Sequence, residues 1–584
     1  MALEDKNETA PPTRRKAILF RVKSAMLQTR RGIYNAAIYR VRKHRRSETH
    51  TSSPVMGESS TKLWTEGQAA ERPLIAGKIH NLRLAVRRID GIEIPAGEVF
   101  SFWRQVGRTT RRRGFVSGRE LREGCIIPSI GGGLCQLSNA LYDAALKAGL
   151  EIIERHAHTQ VIAGSLAESG RDATVFWNYV DLRFRTQTAL RIEAHLDENS
   201  LTIKFRGMKR GAPAAVRSLS RSASHLNNCA SCGEIDCFRS ATEQPGVEFG
   251  RSAFLVDEFG PEFDRYVQQE RSPDDVLFVP LDGKRFGKAN YAWSFDGFRN
   301  VRQSITFTAV RSLRSRRLAA QGAARQRDLL ATYRKLAEIY ARRLSHDVMH
   351  ITVQQNLLPF LWENGELGGR TFDVLMTALP MGELQTRLDR AAALHPESTT
   401  LSDFRADDRL LALEAVALRH ARRIITPHSE IAKLFPRRAH RLEWVMPKAE
   451  NVRKISGPRP SIVFPAATVG RKGCYELREA TRGMDVQIVL LGPDIEGRNF
   501  WSGRNMARGS GNWREIADMV VLPAFVEHRP RRILQAIAYG IPVIASEACG
   551  VEGLPGVTTV RAGDAVELRE AIITHLAERQ VFFA

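Results

Sequence analysis

Apolar positions follow two different rhythms along the chain. Between Leu190 and Phe205 they fall on every second residue in two runs, which predicts a β-hairpin. From about Val247 onward, short apolar runs alternate with amphipathic helical patterns, as in parallel sheets covered by helices. The longest apolar runs, at 519–525 and 541–545, are far below the ~20 residues that span a bilayer. We therefore expect α/β domains and no transmembrane helix.

These patterns divide the 584 residues into five segments. One domain of this length would be unusual, since single cores rarely exceed about 250–300 residues. The predicted segments are a basic tail at 1–61, a first α/β domain at 70–207, a cysteine-containing linker at 208–245, and two α/β halves at 246–450 and 451–584.

Positive charge is concentrated in the tail and also spread along the whole chain. The net charge is +23, and residues 9–47 hold twelve Lys or Arg and no acidic residue. Apolar residues recur there at helical spacing, which predicts a helix that lies on an anionic membrane surface. The alternative is a solvated basic tail. No DNA-reading or RNA-reading motif accompanies the charge, so nucleic acid is not an expected partner.

Three of the seven cysteines lie within nine residues: Cys229, Cys232 and Cys237. Such spacing is typical of zinc or an iron-sulfur cluster, with His225 or another cysteine as the fourth ligand. The alternative is a redox-active or unpaired set. An odd cysteine count favours a reducing compartment. We therefore expect a cytoplasmic protein, peripheral at the inner face of the membrane if the tail binds there.

Four ordered blocks of the first domain carry a family resemblance. They lie at residues 95–102, 131–138, 154–158 and 170–174, and include a run of three glycines followed by a cysteine. In these blocks the stretch of residues 78–207 resembles the VanW family. The resemblance names no chemistry, so the residues themselves must indicate it.

The glycine run predicts a loop that feeds a helix beginning near Cys135. At a helix N-terminus, exposed N–H groups and the helix dipole lower a thiol pKa. His156 or His158 is the candidate base, and Asp172 the group that orients it. This order is similar to that of transglutaminase-like cysteine hydrolases. The alternative is a small cysteine packed in a tight turn.

Residues 451–584 resemble the C-terminal half of group 1 glycosyltransferases. Apolar strand patterns at 461–465, 486–492 and 517–523 and the block 527–546 carry the resemblance. It implies a GT-B-like pair of Rossmann-type halves facing across a cleft, with residues 246–450 as the acceptor-side half. It also implies a nucleotide-sugar donor and a glycan or lipid-linked acceptor.

The resemblance assigns roles to individual residues. Glu527 matches the glutamate that meets the transferred sugar, while Gln535 stands where a second glutamate meets the ribose. Lys472 matches a lysine that neutralises the donor diphosphate. The matching arginine position holds Ala467, and Arg471 is the candidate substitute.

In the acceptor-side half, the stretch 346–350 resembles a strand that ends in a histidine near the cleft, which implies that His350 touches the sugar. The alternative is a strand-end histidine without a role. The expected function is glycosyl transfer to a cell-envelope or surface acceptor. Two other functions stay open: a non-catalytic envelope scaffold with a degenerate cleft, and a hydrolase or transferase centred on Cys135.

Overall fold

A computed structural model gives the fold in two compact units. Unit 1 comprises residues 1–251, 344–350 and 364–371, and unit 2 comprises residues 252–343, 351–363 and 372–584. The predicted domain boundaries stay a prediction. The described residues are 22, 25–33, 35, 41–64, 71–122, 125–158, 166–177, 180–208, 250–318, 322–449, 453–455, 457–509 and 511–583.

Unit 1 is built on antiparallel strands. Its largest sheet has the order β1-β9-β8-β2, and its other sheets are β3-β7-β6 and the pair β4-β5. The strands are β1 Val55–Lys62, β2 Ile92–Ile94, β3 Val99–Ser101, β4 Ser117–Arg122, β5 Cys125–Ile130, β6 Glu151–Glu154, β7 Arg183–Arg185, β8 Leu190–Leu196 and β9 Ser200–Gly207. The helices are α1 Arg72–Ile89, α2 Phe102–Val106 and α3 Cys135–Lys147.

The alternating patterns explain this unit. The predicted hairpin is present as β8 and β9, where Leu196 pairs with Leu201. Every second residue of β9 is buried, as a half-buried strand requires. Helices α1 and α3 add apolar faces, with Ile79 and Leu141 both fully buried in one shared core.

The first sheet of unit 2 has the order β12-β11-β10-β13-β14-β15-β16. Its strands are β10 Arg251–Leu255, β11 Val276–Val279, β12 Asn300–Gln303, β13 Val348–Gln354, β14 Thr371–Leu375, β15 Arg423–Thr426 and β16 Ala439–Arg441. The helices are α4 Pro261–Glu270, α5 Ile305–Arg316, α6 Ala323–Arg343, α7 Leu358–Glu363, α8 Met381–Leu394, α9 Asp408–His420 and α10 Ser429–Leu434.

The second sheet of unit 2 has the order β19-β18-β17-β20-β21-β22, and all of its pairings are parallel. Its strands are β17 Ser461–Phe464, β18 Gln487–Leu490, β19 Met506–Arg508, β20 Met519–Leu522, β21 Val543–Ser546 and β22 Val557–Val560. Its helices are α11 Cys474–Ala480, α12 Trp513–Ile516, α13 Arg531–Ala538 and α14 Ala565–Phe583.

The strand order of this second sheet positions a site. Consecutive strands run outward from β17 in one direction and from β20 in the other, so the order reverses between these two neighbours. In open parallel sheets, ligands bind in the crevice outside the carboxyl ends of the strands at such a point. The predicted α/β class with two Rossmann-type halves is confirmed. Within the described part of the chain, no helix is both long and apolar enough to cross a membrane.

Candidate active sites

In unit 1, a glycine loop delivers Cys135 to the first position of α3. Gly133 has a φ of 96°, a left-handed conformation that favours glycine. At Gly132 an added Cβ would lie 2.4 Å from the carbonyl oxygen of Gly118, so a side chain does not fit there. Cys135 itself is half-buried. The loop therefore holds the thiol at a helix N-terminus, as the sequence predicts.

Helix α3 also holds the segment that carries Asp172. Ser138 donates its hydroxyl to the carbonyl of Ala173 at 2.6 Å, and Asn139 Oδ1 accepts from the N–H of Ala173 at 2.8 Å. The next residue, Thr174, places its Oγ1 3.8 Å from Cys135 Sγ. These contacts hold the segment around Ala173 against the N-terminal part of α3.

Asp172 is buried and satisfied by three donors. Arg155 Nη2 donates to Oδ1 at 2.7 Å, while the backbone N–H and Nδ1 of His158 lie 2.6 and 3.0 Å from Oδ2. His158 also shares a hydrogen bond with the thiol of Cys135. The structure thus brings Cys135, His158 and Asp172 together in the order of a thiol, a base and an orienting carboxylate.

Of the two candidate histidines, His158 is the one in this contact. His156 is exposed, and its Nε2 lies 3.3 Å from Glu154 Oε1. Sequence spacing alone does not separate these two histidines. The carboxylate of Asp172 is what distinguishes them.

The titration of the pair favours a thiolate facing an imidazolium. Burial lowers the pKa of His158, but its hydrogen bonds to Asp172 and Cys135 outweigh burial and raise the pKa to about 9. Burial raises the pKa of Cys135, whereas the hydrogen bond and charge of His158 bring it below its ordinary value. Cys135 has the features of a reactive cysteine.

In unit 2, a cavity of about 670 Å³ opens between the carboxyl edges of the two parallel sheets. Loops that follow β10, β13 and β14 line one side, and loops that follow β17 and β20 line the other. The lining includes Glu258, Gln354, Asn356, Thr377, Arg471, Lys472, Val526, Glu527, His528 and Arg529. This volume suits a drug-sized or nucleotide-sized ligand.

Lys472 and Glu527 meet in this cavity. Lys472 ends the short turn of residues Gly470–Lys472 after β17, and Glu527 follows β20, so both lie at the reversal of strand order. Lys472 Nζ donates to Glu527 Oε2 at 2.9 Å and to the carbonyl of Val526 at 2.9 Å. The N–H of Arg529 donates to Glu527 Oε1 at 2.9 Å. The ammonium of Lys472 and the carboxylate of Glu527 therefore form an ion pair.

The surroundings of Glu527 keep it charged. Burial raises its pKa, but the charge of Lys472 and the N–H of Arg529 outweigh burial and lower it. The adjacent His528 is kept neutral, since burial and then Lys472 lower its pKa to about 3. His428 lies with its Nε2 3.1 Å from the carbonyl oxygen of Glu527, and so supports the backbone there.

Arginines that the sequence reasoning missed line an adjoining cavity of about 350 Å³. Arg532 donates to the carbonyl of Pro465 at 2.7 Å and to that of Leu491 at 3.2 Å. Its guanidinium therefore lies beside the loop that contains Ala467, the position at which the sequence resemblance implies an arginine. The signal was present as the basic run after Glu527, comprising Arg529, Arg531 and Arg532.

The remaining candidates lie as follows. Arg471 lines both cavities, and burial lowers its pKa. Gln535 is half-buried on α13. His350 lies within β13, which continues to Gln354 instead of ending at this histidine; the part of the strand up to His350 is assigned to unit 1, and His350 Nδ1 lies 2.8 Å from Thr371 Oγ1. Their roles toward ribose, phosphate and sugar stay predictions.

The cysteine cluster Cys229, Cys232 and Cys237 lies outside the described residues, as does His225. Among the residues that the structure describes, no group of three or more His, Cys, Asp or Glu could hold a metal ion. The zinc or iron-sulfur hypothesis stays a prediction.

Comparison with known proteins finds a family in unit 1. Residues 77–206 match the family described as VanW like protein. The chain is 39% identical over 108 residues to the uncharacterized protein YoaR of Bacillus subtilis (strain 168), covering 18% of this chain and 35% of that protein. It is 34% identical over 137 residues to the vancomycin B-type resistance protein VanW of Enterococcus faecalis (strain ATCC 700802 / V583), covering 22% and 49%. The chain thus spans less than half the length of these relatives, and the predicted VanW resemblance is confirmed.

Unit 2 has structural neighbours among glycosyltransferases. Sucrose-phosphate synthase from Thermosynechococcus elongatus is 16% identical, with 56% of this chain and 90% of that chain covered and a TM-score of 0.36. WaaG, a glycosyltransferase involved in lipopolysaccharide biosynthesis, is 13% identical, with 56% and 90% covered and a TM-score of 0.32. Anabaena Alr3699/HepE in complex with UDP is 14% identical, with 56% and 91% covered and a TM-score of 0.33. These likenesses concern the fold.

Proposed function

We propose that unit 2 transfers a sugar from a nucleotide-sugar donor to a glycan or lipid-linked acceptor of the cell envelope. One observation carries the proposal: the ion pair of Lys472 and Glu527 faces a cavity at the point where the strand order reverses. In such sheets this position receives nucleotides and their phosphates. The two retained residues are those that the family resemblance assigns to the diphosphate and the sugar.

The ion pair accounts for donor binding in physical terms. Without ligand, Lys472 and Glu527 neutralise each other at 2.9 Å. A donor diphosphate brings negative charge that competes for the ammonium, and the leaving nucleotide gains further negative charge in the transition state. Lys472 then stabilises the diphosphate, and the freed carboxylate of Glu527 contacts hydroxyl groups of the sugar.

The arginines next to the pair supply the rest of the positive charge. Arg532 reaches the loop around Ala467 from α13, so its guanidinium stands close to where the missing family arginine would act. A planar guanidinium binds a phosphate in a bidentate manner. We assign Arg532, rather than Arg471 alone, to the second phosphate contact, and Gln535 to the ribose.

The experiment is uptake of a labelled sugar from a panel of nucleotide sugars into an envelope-derived acceptor fraction. We expect transfer from at least one donor, with activity lower by about a hundredfold or more in Glu527→Ala. Glu547→Ala is the matched control, because Glu547 follows β21 and accepts from the N–H of Ala562 at 3.0 Å, and does not line either cavity. Equal activity of wild type and Glu527→Ala would contradict the proposal.

A second candidate function has its own observation, the contact of His158 with both Cys135 and Asp172. We propose that unit 1 uses Cys135 as a nucleophile in acyl transfer. The thiolate attacks a carbonyl carbon and forms a C–S bond, while the bond to the leaving amine or alcohol breaks. The imidazolium of His158 gives its proton to that leaving group. Water or an amine then releases the acyl group from the thioester.

Alkylation by iodoacetamide, resolved by peptide mass spectrometry, tests this second candidate without a known substrate. We expect Cys135 to react fastest at neutral pH, and to slow by about tenfold or more in His158→Ala. Cys474 and Cys549 are internal controls, because both are buried and burial raises the pKa of each. A rate for Cys135 that does not change in His158→Ala would contradict the assignment.

Both chemistries suit a protein of envelope assembly that works on the cytoplasmic side, at the inner face of the membrane. The reducing-compartment expectation and the basic tail support this location. Detection of the intact protein in the cytoplasmic membrane fraction, and its release by high salt, would be the expected result.

A further inference from the structure

The helix at the start of unit 1 presents its apolar side chains away from the protein. Residues 22, 25–33 and 35 are helical, and we call this segment the basic helix. Val22, Met26 and Ile33 on it are 54%, 68% and 63% exposed. An amphipathic helix that packs on its own domain buries such residues instead. On the basic helix, by contrast, these apolar residues are exposed.

Polar side chains attach the basic helix to the domain. Arg31 donates to a carboxylate oxygen of Glu154, at the end of β6. Asn35 Oδ1 accepts from Arg183 Nη2 at 2.6 Å, and Arg183 is itself buried and paired with Asp181 at 2.9 Å. Two polar attachments, one as donor and one as acceptor, thus fix one face of the helix.

Helical geometry places the exposed apolar residues and the two anchoring residues on opposite sides of the basic helix. At about 100° of rotation per residue, Val22, Met26 and Ile33 lie within about 40° of one another. Arg31 and Asn35 lie about 140–180° from the residues of that stripe. The stripe therefore points outward because the anchors on the far face hold it so.

The charge of the segment indicates what covers the stripe. Residues 9–47 hold twelve Lys or Arg and no Asp or Glu, and Arg30 is exposed beside the stripe. An apolar stripe flanked by cations matches an anionic bilayer surface, where side chains enter the acyl boundary and cations meet headgroups. The excess of cations over anions in this segment favours a surface with many negative charges over an apolar groove of a protein partner.

We propose that the basic helix docks unit 1 on an anionic membrane surface through Val22, Met26 and Ile33. The docking is independent of the catalytic proposals. The anchor Glu154 lies four residues before His158, so the docked helix would lie beside the segment that leads to the thiol site.

Co-sedimentation of the full chain with vesicles tests the proposal. We expect binding to phosphatidylcholine vesicles that contain phosphatidylglycerol, and little binding to phosphatidylcholine alone. The double variant M26E/I33E should bind at least about a hundredfold more weakly, at about tenfold for each buried side chain.

The matched control is V566E/I573E, which makes the same change at the same seven-residue spacing on α14. Val566 and Ile573 are 69% and 48% exposed, so this variant should fold and should bind as wild type does. Unchanged melting curves of both variants, by circular dichroism, separate impaired docking from impaired folding.

Three results would overturn the proposal. The first is equal binding by wild type and M26E/I33E. The second is equal binding of wild type to both kinds of vesicle, or to neither. The third is a dimer of the wild type, detected by light scattering, that M26E/I33E dissolves, since a second copy would then cover the stripe.

Discussion

The thiol site of unit 1 and the cleft of unit 2 distribute charge in opposite ways. Around Cys135, burial raises the pKa of the thiol, but the hydrogen bond and charge of His158, which is itself held by Asp172, outweigh burial and lower that pKa. In the cleft, Lys472 and Glu527 neutralise each other at 2.9 Å. The surroundings of the first site thus favour charge on the thiol, whereas in the second site the two charges are already paired with each other.

The difference follows from how each site is built. In the thiol site, Ser138 and Asn139 of α3 hydrogen-bond the backbone of Ala173, so few residues set the position of Asp172 relative to Cys135. Lys472 and Glu527 stand on loops after two different strands, 55 residues apart. A ligand can therefore enter between them without rearranging a helix.

The largest expected effect comes from removing the ammonium in the cleft. Lys472→Met should lower sugar transfer by about a hundredfold to a thousandfold, because the leaving diphosphate is deprived of its nearest cation. The measurement is turnover with the donor found active. Lys454→Met is the matched control, since Lys454 pairs with Asp518 at 2.8 Å and lines neither cavity. A larger decrease in the control than in Lys472→Met would remove the special role of Lys472.

A smaller decrease is expected when the orienting carboxylate of the thiol site is neutralised. Asp172→Asn should slow alkylation of Cys135 at neutral pH by about tenfold to a hundredfold, since a tenfold fall in thiolate corresponds to one pKa unit. Asp143→Asn is the control, because Asp143 accepts from Lys147 on the same helix at 2.8 Å and from Arg171 at 2.7 Å. Equal alkylation rates of Cys135 in the two variants would contradict the orienting role of Asp172.

The pH dependence of Cys135 alkylation is a further test of the thiol site. The thiolate forms on loss of a proton, so alkylation of Cys135 should rise through a midpoint below that of a free thiol. Without the imidazolium, in His158→Ala, the midpoint should move up. Acyl transfer itself should decline above about pH 9, where His158 loses the proton that the leaving group needs. If the midpoint in the wild type equalled that of a free thiol, the proposed pairing of Cys135 with His158 would be contradicted.

The smallest expected effect concerns the second phosphate-binding residue. Arg532→Met should weaken nucleoside diphosphate binding by about tenfold, measured by calorimetry, because methionine cannot donate the charge-assisted hydrogen bonds of a guanidinium. Arg569→Met serves as control, because Arg569 donates to the carbonyls of Ala480 and Arg482, both at 2.8 Å, away from both cavities. If Arg532→Met binds the nucleoside diphosphate as tightly as the wild type does, Arg471 becomes the better candidate for the second phosphate contact.

Local patterns predicted much of the fold. The β8–β9 hairpin and the start of α3 at Cys135 follow from alternation and from a glycine run, which act over a few residues. The parallel sheets follow from fully apolar strand patterns such as that of β20, all of which is buried.

Interactions between distant segments could not be predicted in the same way. The choice of His158 over His156 depends on Asp172, which lies 14 residues further along the chain. Arg532 became a candidate only because its carbonyl partners Pro465 and Leu491, 67 and 41 residues away, place it beside Ala467. The outward stripe of the basic helix likewise depends on Glu154, far from it in sequence.

A structure determined with a bound nucleoside diphosphate tests the central idea most directly. We predict the diphosphate between Lys472 and Arg532, with the ion pair of Lys472 and Glu527 opened and the carboxylate facing the sugar position. A nucleotide bound elsewhere, or an occupied cavity in which that ion pair stays closed, would contradict it.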